Sequence, residues 1–369
     1  MIADFGFGGN ITRIREYGNT RIPVLPYSLI RSIHYPLAMR PKRPTAILTA
    51  ADAPVMLVSN LTNIRFLTGL QMSAALLLID GKRITLFTDG RYLEIAADTV
   101  YRGIAVRDAA ELDAAMSKIP VCAIEDEELS IDRFRRWKTK FKNTKFVHTS
   151  GVIAEFRRSK DSEEQAKFRK AQRITREMIR RVPALLRRPI REIDLAWQLQ
   201  VWAKELGADG MAFDPIVAFG THTSLPHHKP TNRLLKKGHI VQIDCGARYR
   251  GYCADQSAVF FTAKPTPLQQ NVYQAVCAAK DAAIAAISSG VSVRHLDTIA
   301  REVLRKYGYE TFFCHALGHG VGLDIHEGVT LSQKAPNQKL LKGEIITIEP
   351  GVYIPGRFGM RVEEEVIVN

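Results

Sequence analysis

The chain has 369 residues, with 52 Lys+Arg against 38 Asp+Glu for a formal charge of +14, and 46% apolar and 24% charged residues. This composition is globular and excludes collagen, a continuous coiled coil or wholesale disorder, and the length suits two domains at about 150 residues each. No window approaches the ~18 uninterrupted apolar residues of a membrane span, the start lacks the apolar core of a secretory signal, and the five cysteines (Cys122, Cys245, Cys253, Cys277, Cys314) form no CxxC pair, so a cytoplasmic protein with reduced thiols is expected.

Residues 1–45, rich in Arg, Pro and Gly, read as a basic irregular extension. From 46 to 150, short apolar runs alternate with helical patterns. Strands are expected at 53–59, 74–79, 84–87 (after the Asp80-Gly81 turn) and 121–124, and helices at 91–99, 109–118 and 131–141. That is a small α/β domain. A larger domain is expected over 155–369. Ser162 with Gln165 carries a capping-box signature, and the following helix places Ala171, Ile174, Met178 and Val182 on one face. A second helix turns Leu195, Leu199, Trp202 and Leu206 inward and stops at Gly207. A hairpin built from 240–246 and 252–261 follows. Helices near 267–289 and 294–307 come next, and a second hairpin from 345–349 and 360–368 closes the chain. The order helix, helix, hairpin thus occurs twice, which predicts a pseudo-symmetric α/β domain with a site between its halves.

The positive charge sits mostly outside that repeat. Residues 1–50 hold 7 basic and 2 acidic residues and 155–191 hold 13 and 5, whereas 192–369 balances at 18 each. No zinc-knuckle spacing, RNP motif or aromatic-interleaved basic strip accompanies the charge, so it reads as a solvated flank and no nucleic-acid partner is expected.

Each hairpin places two carboxylates where a strand should bury apolar groups. In IVQIDCGARYRGYCADQSAVFF they are Asp244 and Asp255, whose midpoint between Tyr249 and Arg250 would set them face to face across the ladder. In ITIEPGVYIPGRFGMRVEEEVIV they are Glu349 and Glu363, with their midpoint at Gly356. Buried carboxylates without partners are costly and need cations. HALGHGVGLDIHE adds His315, His319 and His326 among glycines, and SLPHHKPT adds His227 and His228. Four carboxylates and one imidazole carry a formal charge that matches two divalent cations, and oxygen-rich ligation favours Mn²⁺ or Co²⁺, with Zn²⁺ also compatible. Two such ions about 3.5 Å apart would activate a bridging water, the chemistry of a chelator-sensitive hydrolase. This is not HExxH zinc chemistry, because GLDIHEGV lacks the second His.

At these residues the chain resembles the "pita-bread" metallopeptidases, and within them the Xaa-Pro aminopeptidase and Xaa-Pro dipeptidase (prolidase) branch. NIRFLTGL and LFTDGRYLEIAA resemble its creatinase-type N-terminal domain; FDPIVAFG, LPHHKPT, DCGARYRGYCADQS, GHGVGLDIHE, IEPGVY and RVEEEVIV resemble its catalytic half. The resemblance implies an RNase-H-like N-terminal domain ahead of a pseudo-twofold pita-bread domain, and a homodimer. It also implies five metal ligands, Asp244, Asp255, His319, Glu349 and Glu363, the last following the Arg-x-Glu order from Arg361. Glu349 would also shuttle protons, His227 and His326 would bind the scissile carbonyl and oxyanion, His315 and Arg361 would line the proline subsite, and Phe213 the apolar wall.

Two departures bear on the reading. Where the branch has Asp-x-Thr-Arg, this chain has Asp255-Gln256-Ser257-Ala258. Where many dipeptidases have Pro-Arg after His-Glu, this chain continues Gly328-Val329-Thr330, which argues against a strict dipeptidase and for an aminopeptidase acting on peptides with proline second. Relatives usually continue beyond the position of Asn369. A non-catalytic binding module is the contrasting reading, and the complete ligand set argues against it. That set also argues against creatine amidinohydrolase, which works without metal, and the N-terminal match argues against methionine aminopeptidase.

Overall fold

The computed structural model describes residues 43–369 apart from Lys82. The expected 1–45 extension lies outside the described residues except for its last three, which open helix α1 (Arg43–Ala50).

The N-terminal half is built on one six-stranded sheet: β1 (Val55–Val58), β2 (Ala75–Asp80), β3 (Arg83–Thr88), β4 (Ile104–Asp108), β5 (Val121–Glu125) and β6 (Lys145–Thr149), in the order β4-β3-β2-β1-β5-β6. The β1-β2 and β2-β3 pairs are antiparallel; β3-β4, β1-β5 and β5-β6 are parallel. Both faces are covered. Met56, Val58, Leu77 and Ile79 pack beneath α1, α2 (Leu61–Thr68) and α6 (Val152–Arg158), and Leu57, Leu78 and Ile124 pack beneath α4 (Leu112–Met116) and α5 (Ile131–Lys140). Helix α3 (Leu93–Thr99) follows β3. Strands β4 and β6 escape the sequence patterns because both are edge strands, half-exposed and polar (IAVRD and KFVHT).

The second half repeats one arrangement. Helices α7 (Ser162–Leu185) and α8 (Glu192–Glu205) pack Ile174, Met178, Val182, Leu195 and Leu199 on β8 (Ile216–Phe219) and β9 (Ile240–Cys245), and short β7 (Gly210–Met211) joins the edge of this half. Strand β9 pairs with β12 (Gln256–Phe261) through a hairpin whose tip is β10 (Ala247–Tyr249) and β11 (Tyr252–Cys253). Helices α9 (Pro267–Ala285) and α10 (Val293–Lys306) cover the matching strands of the other half. These are β13 (Gly318–Gly320), β14 (Glu327–Leu331), β15 (Ile345–Ile348), β16 (Gly351–Ile354), β17 (Phe358–Arg361) and β18 (Glu364–Ile367). The chain is thus a mixed α/β protein with the creatinase-type N-terminal fold and the pseudo-twofold catalytic fold.

Local chemistry departs from expectation in two places. Helix α7 is capped one residue earlier than its Ser162/Gln165 signature suggests. Asp161 accepts from the amides of Glu163 and Glu164, both at 2.9 Å, and Glu164 reaches back to the Asp161 amide at 2.8 Å. An ionised carboxylate at this end has the stronger claim because it also meets the positive end of the helix dipole. On α8, Leu195 and Leu199 are fully buried, whereas Trp202 and Leu206 are half-buried at the rim of the same core.

Candidate metal centre and catalytic cleft

Both hairpins deliver carboxylates to one cleft of about 1020 Å³: Asp244, Asp255 and Glu349 line it, and Glu363 is buried beside Asp244 and Asp255. In the first, the two-residue turn is Arg250-Gly251, with φ of +47° and +86°. That places the turn one residue later than the carboxylate midpoint. Asp244 therefore faces Ser257 across the ladder, and Asp255 lies on the diagonal, two residues away on the same side. In the second hairpin the register runs through Gly351↔Arg361 and Ile348↔Glu364, so Glu349 and Glu363 do fall opposite each other, with Gly356 at the turn. His319 comes from β13, where glycines on either side allow backbone contact: a Cβ on Gly318 would stand 2.0 Å from the Thr347 carbonyl oxygen.

The acids crowd together. Asp244, Asp255 and Glu363 are buried, and each places a carboxylate oxygen within 4.8 Å of the others. Their outer oxygens (Asp244 Oδ1, Asp255 Oδ1 and Glu363 Oε1) have no hydrogen-bond partner. His319 donates from Nδ1 to its neighbour's carbonyl, Gly320 O, at 3.1 Å, which turns Nε2 toward the acids. That Nε2 lies 3.5 Å from both Asp255 Oδ2 and Glu349 Oε1. Burial, and then the charge of Asp244, drive the Asp255 carboxyl far above its usual range. Burial and the neighbouring acids do the same to Glu363, and burial raises Glu349 to about 7. Orphaned buried oxygens and an imidazole nitrogen converging on one space are what a divalent-metal site requires, so the residues fit the metals that the spacing implies.

A second cluster shows the contrast. Glu192, fully buried at the start of α8, accepts from Phe219 N, His222 Nδ1, His228 Nε2, Thr231 N and Thr231 Oγ1, all between 2.7 and 3.0 Å. Five donors saturate the carboxylate. The cluster leaves no oxygen for a cation and instead braces the 220–231 loop that carries His227.

The other expected residues also reach the cleft. His227, His315, His326, Arg361 and Phe213 line it, with His227 exposed at its rim. The imidazole of His326 meets that of His319 edge-on, with ring centroids 4.1 Å apart, and burial lowers its pKa. Phe213 packs on the cluster around Phe168, Tyr252 and Val321. Arg361 is almost wholly committed within the protein. Nη2 donates to Asp244 Oδ2 at 2.6 Å, Nε to Ser257 Oγ at 2.8 Å, and Nη1 to Tyr353 OH at 2.7 Å and the Pro226 carbonyl at 3.3 Å. His315 then accepts at Nε2 from Tyr353 OH at 2.9 Å, while its Nδ1 donates to the Ala316 carbonyl. Burial, and then Arg361, lower His315 to about 4, so it is neutral near pH 7.

Two contributors were not singled out in the sequence. Tyr353 joins Arg361 to His315, and nothing in its apolar strand announces this. Glu365 accepts the Asp255 amide at 2.8 Å and is itself buried. Here a signal existed: Glu363, just ahead of β18, and Glu365 within it are two apart, the spacing of one face of extended chain, while Glu364 between them pairs with Arg176.

The sequence matches "Metallopeptidase family M24" over residues 166–369 and "Creatinase/Prolidase N-terminal domain" over 40–159. The chain belongs to metallopeptidase family M24. It is 30% identical to a Bacillus subtilis protein named uncharacterized peptidase YqhT, over 85% of this chain and 90% of that one. Among solved structures, an Xaa-Pro dipeptidase from Bacillus anthracis superposes with a TM-score of 0.84 at 28% identity, covering 88% of this chain and 94% of that one. An X-Pro aminopeptidase from Thermotoga maritima superposes with a TM-score of 0.79 at 32% identity, covering 85% and 92%. This M24 protein is thus a hydrolase of the divalent-metal-dependent peptidase class. No helix among its described residues is long and apolar enough to cross a membrane.

Proposed function

We propose that this M24 enzyme is an Xaa-Pro aminopeptidase, releasing the first residue from peptides with proline second. The observation that carries the reading is the convergence of Asp244, Asp255, His319, Glu349 and Glu363, with three orphaned oxygens and the Nε2 of His319 turned toward the acids, beside His227, His315 and His326 at one cleft. These five residues would hold two divalent ions, Mn²⁺ by the oxygen-rich donor set, with Co²⁺ or Zn²⁺ as alternatives. When bound, the ions supply an acidified water and neutralise developing negative charge. Glu349 accepts the proton of the attacking water and returns it to the proline nitrogen as the C–N bond breaks. His227 and His326 donate hydrogen bonds to the carbonyl oxygen as it gains charge. His315, neutral and fixed by Tyr353, forms part of the wall for the proline ring, Arg361 holds Asp244 beneath it, and Phe213 provides apolar wall.

The second reading is an Xaa-Pro dipeptidase. It is supported by the names of solved relatives and by Lys229, an exposed cation on the cleft lining that can meet a free carboxylate. The absence of an Arg after His326-Glu327 supports the aminopeptidase. A cytoplasmic homodimer acting on peptides, with no membrane or nucleic-acid partner, completes the proposal. The thiols of Cys122, Cys245, Cys253, Cys277 and Cys314 are all free, as a reducing compartment requires.

A peptide panel tests this. Xaa-Pro dipeptides, Xaa-Pro-Yaa tripeptides and Xaa-Ala-Yaa controls are incubated with protein loaded with Mn²⁺, Co²⁺ or Zn²⁺. Tripeptides are expected to be cleaved faster than dipeptides, with Mn²⁺ the best support. Cleavage of dipeptides alone selects the second reading, and equal cleavage of the alanine controls refutes proline specificity.

A further inference from the structure

His326 sits on a stretch, 321–326, that belongs to no strand or helix; backbone bonds tie down Val321 and Gly322, and the residues beyond them are held by side-chain contacts. Its two neighbouring carboxylates supply them. Arg157, buried at the end of α6, places Nη2 2.5 Å from both Asp324 Oδ2 and Glu327 Oε2. Lys160, also buried, places Nζ 2.7 Å from Glu327 Oε1. The Glu327 carboxylate leaves no room for a side chain at 322, where a Cβ would stand 2.0 Å from its Oε1.

The other side of Arg157 faces the N-terminal sheet. Nη1 donates to Asn63 Oδ1 at 2.9 Å, and Asn63 Nδ2 donates to Glu125 Oε1 at 2.6 Å. The second oxygen of Glu125 receives the amides of Ser59 and Asn60 at 2.8 and 2.9 Å. Thr62 reaches Asp324 directly, Oγ1 to Oδ1 at 3.0 Å. An unbroken series of polar contacts therefore runs from the ends of β1 and β5 to the two residues that flank His326.

Stability alone does not account for this arrangement. Well-packed apolar side chains of the same volume generally stabilise a core as well as or better than buried ion pairs. What a forked guanidinium adds is direction, because its donors fix two carboxylates at a set angle and spacing.

We propose that Arg157 is a positioning residue for His326, and that through it the N-terminal domain completes the catalytic cleft of its own chain. The inference rests on the assignment of His326 to the scissile carbonyl. Arg157 holds Asp324 and Glu327, these fix the backbone between them, and Asn63 and Thr62 orient the assembly from the N-terminal side. Misplacement of an imidazole by about 1 Å costs on the order of 100-fold in rate.

The test is a double-mutant cycle on the full-length, Mn²⁺-loaded protein with an Xaa-Pro-Yaa tripeptide. Arg157→Gln and Asn63→Ala are each made alone and on a His326→Ala background, and kcat, KM and bound metal are measured. Arg157→Gln alone is expected to lower kcat by roughly 10- to 100-fold with KM and metal content nearly unchanged, and Arg157→Lys to recover part of it. On the His326→Ala background it should cost less than about twofold more, because the group it positions is gone. Asn63→Ala leaves the ion pairs intact and should show the same pattern at about fivefold, which keeps the cycle measurable if Arg157→Gln does not fold. Equal losses on both backgrounds, or a loss carried by KM or by metal content, would overturn the proposal. A His326→Ala enzyme with wild-type kcat would remove the underlying assignment and the proposal with it, and that arm is read before any Arg157 variant.

Discussion

The hydroxyl of Ser257 replaces the threonine usual for this branch and performs one task in the structure: it accepts the Nε–H of Arg361 at 2.8 Å inside a fully enclosed site. Arg361 in turn holds Asp244 and Tyr353, so a single hydroxyl supports a contact that ends at His315. Ser257→Ala leaves a buried guanidinium N–H without a partner, and a loss of about 1–3 kcal/mol follows. Ser257→Thr keeps the hydroxyl and should be near neutral. Urea denaturation of both variants checks this, and an unchanged midpoint for Ser257→Ala would contradict the role. At this scale the sequence was legible where chemistry is unusual for its setting, as with acids among the apolar residues of two hairpins, although only Asp244 lies within a strand and Asp255, Glu349 and Glu363 fall just beyond strand ends. It was not legible for Tyr353, whose hydroxyl acquires its partners only when Arg361 and His315 are brought beside it.

At the scale of elements, the two hairpins show why register matters. The second was readable from its carboxylates, because Gly356 supplies a turn at their midpoint. The first was not, because the Arg250-Gly251 turn, with both residues at positive φ, comes one residue after the carboxylate midpoint and so moves the partner of Asp244 by two residues, from Asp255 to Ser257. Gly251 also lies under the guanidinium of Arg65 from α2, where a Cβ would stand 2.2 Å from its Cζ. Gly251→Ala should therefore destabilise by about 1–3 kcal/mol, through the left-handed backbone and the displacement of Arg65. Denaturant titration measures it, and a neutral result would mean that the turn can change type without cost. The helices were easier to read: α7 and α10 bury one stripe each, and their periodicity stands out against polar neighbours.

Across the whole molecule, two sheet-and-helix halves press four carboxylates close together, and the energetic consequence is a dependence on metal and on pH. Burial raises Glu349 to about 7, against an ordinary value of 4.5. A carboxyl that holds its proton more tightly when folded contributes stability that is fully present below its unfolded value and is lost as the pH rises through its folded one. Metal-stripped protein should accordingly lose thermal stability between about pH 4.5 and 7, and Glu349→Gln should flatten that decline. Protein loaded with Mn²⁺ should show the opposite slope over the same window, since ligation requires ionised acids. Thermal scans with and without chelator decide the matter, and a stripped protein that gains stability across the window would contradict it.

What this sequence determined by itself was the fold class, the twofold repeat and the identity of the unusual side chains. Each of these is written in local patterns of period 2 or 3.6, or in residue types that do not belong where they stand. What only the tertiary structure decided was how residues distant along the chain meet. It set the two-residue offset of Asp255 from the position opposite Asp244, the chain from Asp244 through Arg361 and Tyr353 to His315, and the reach of Asn63 and Arg157 to the carboxylates beside His326. Hydrogen bonds and ion pairs act over about 3 Å, and no pattern along a chain records which of its distant segments packing will bring within that distance.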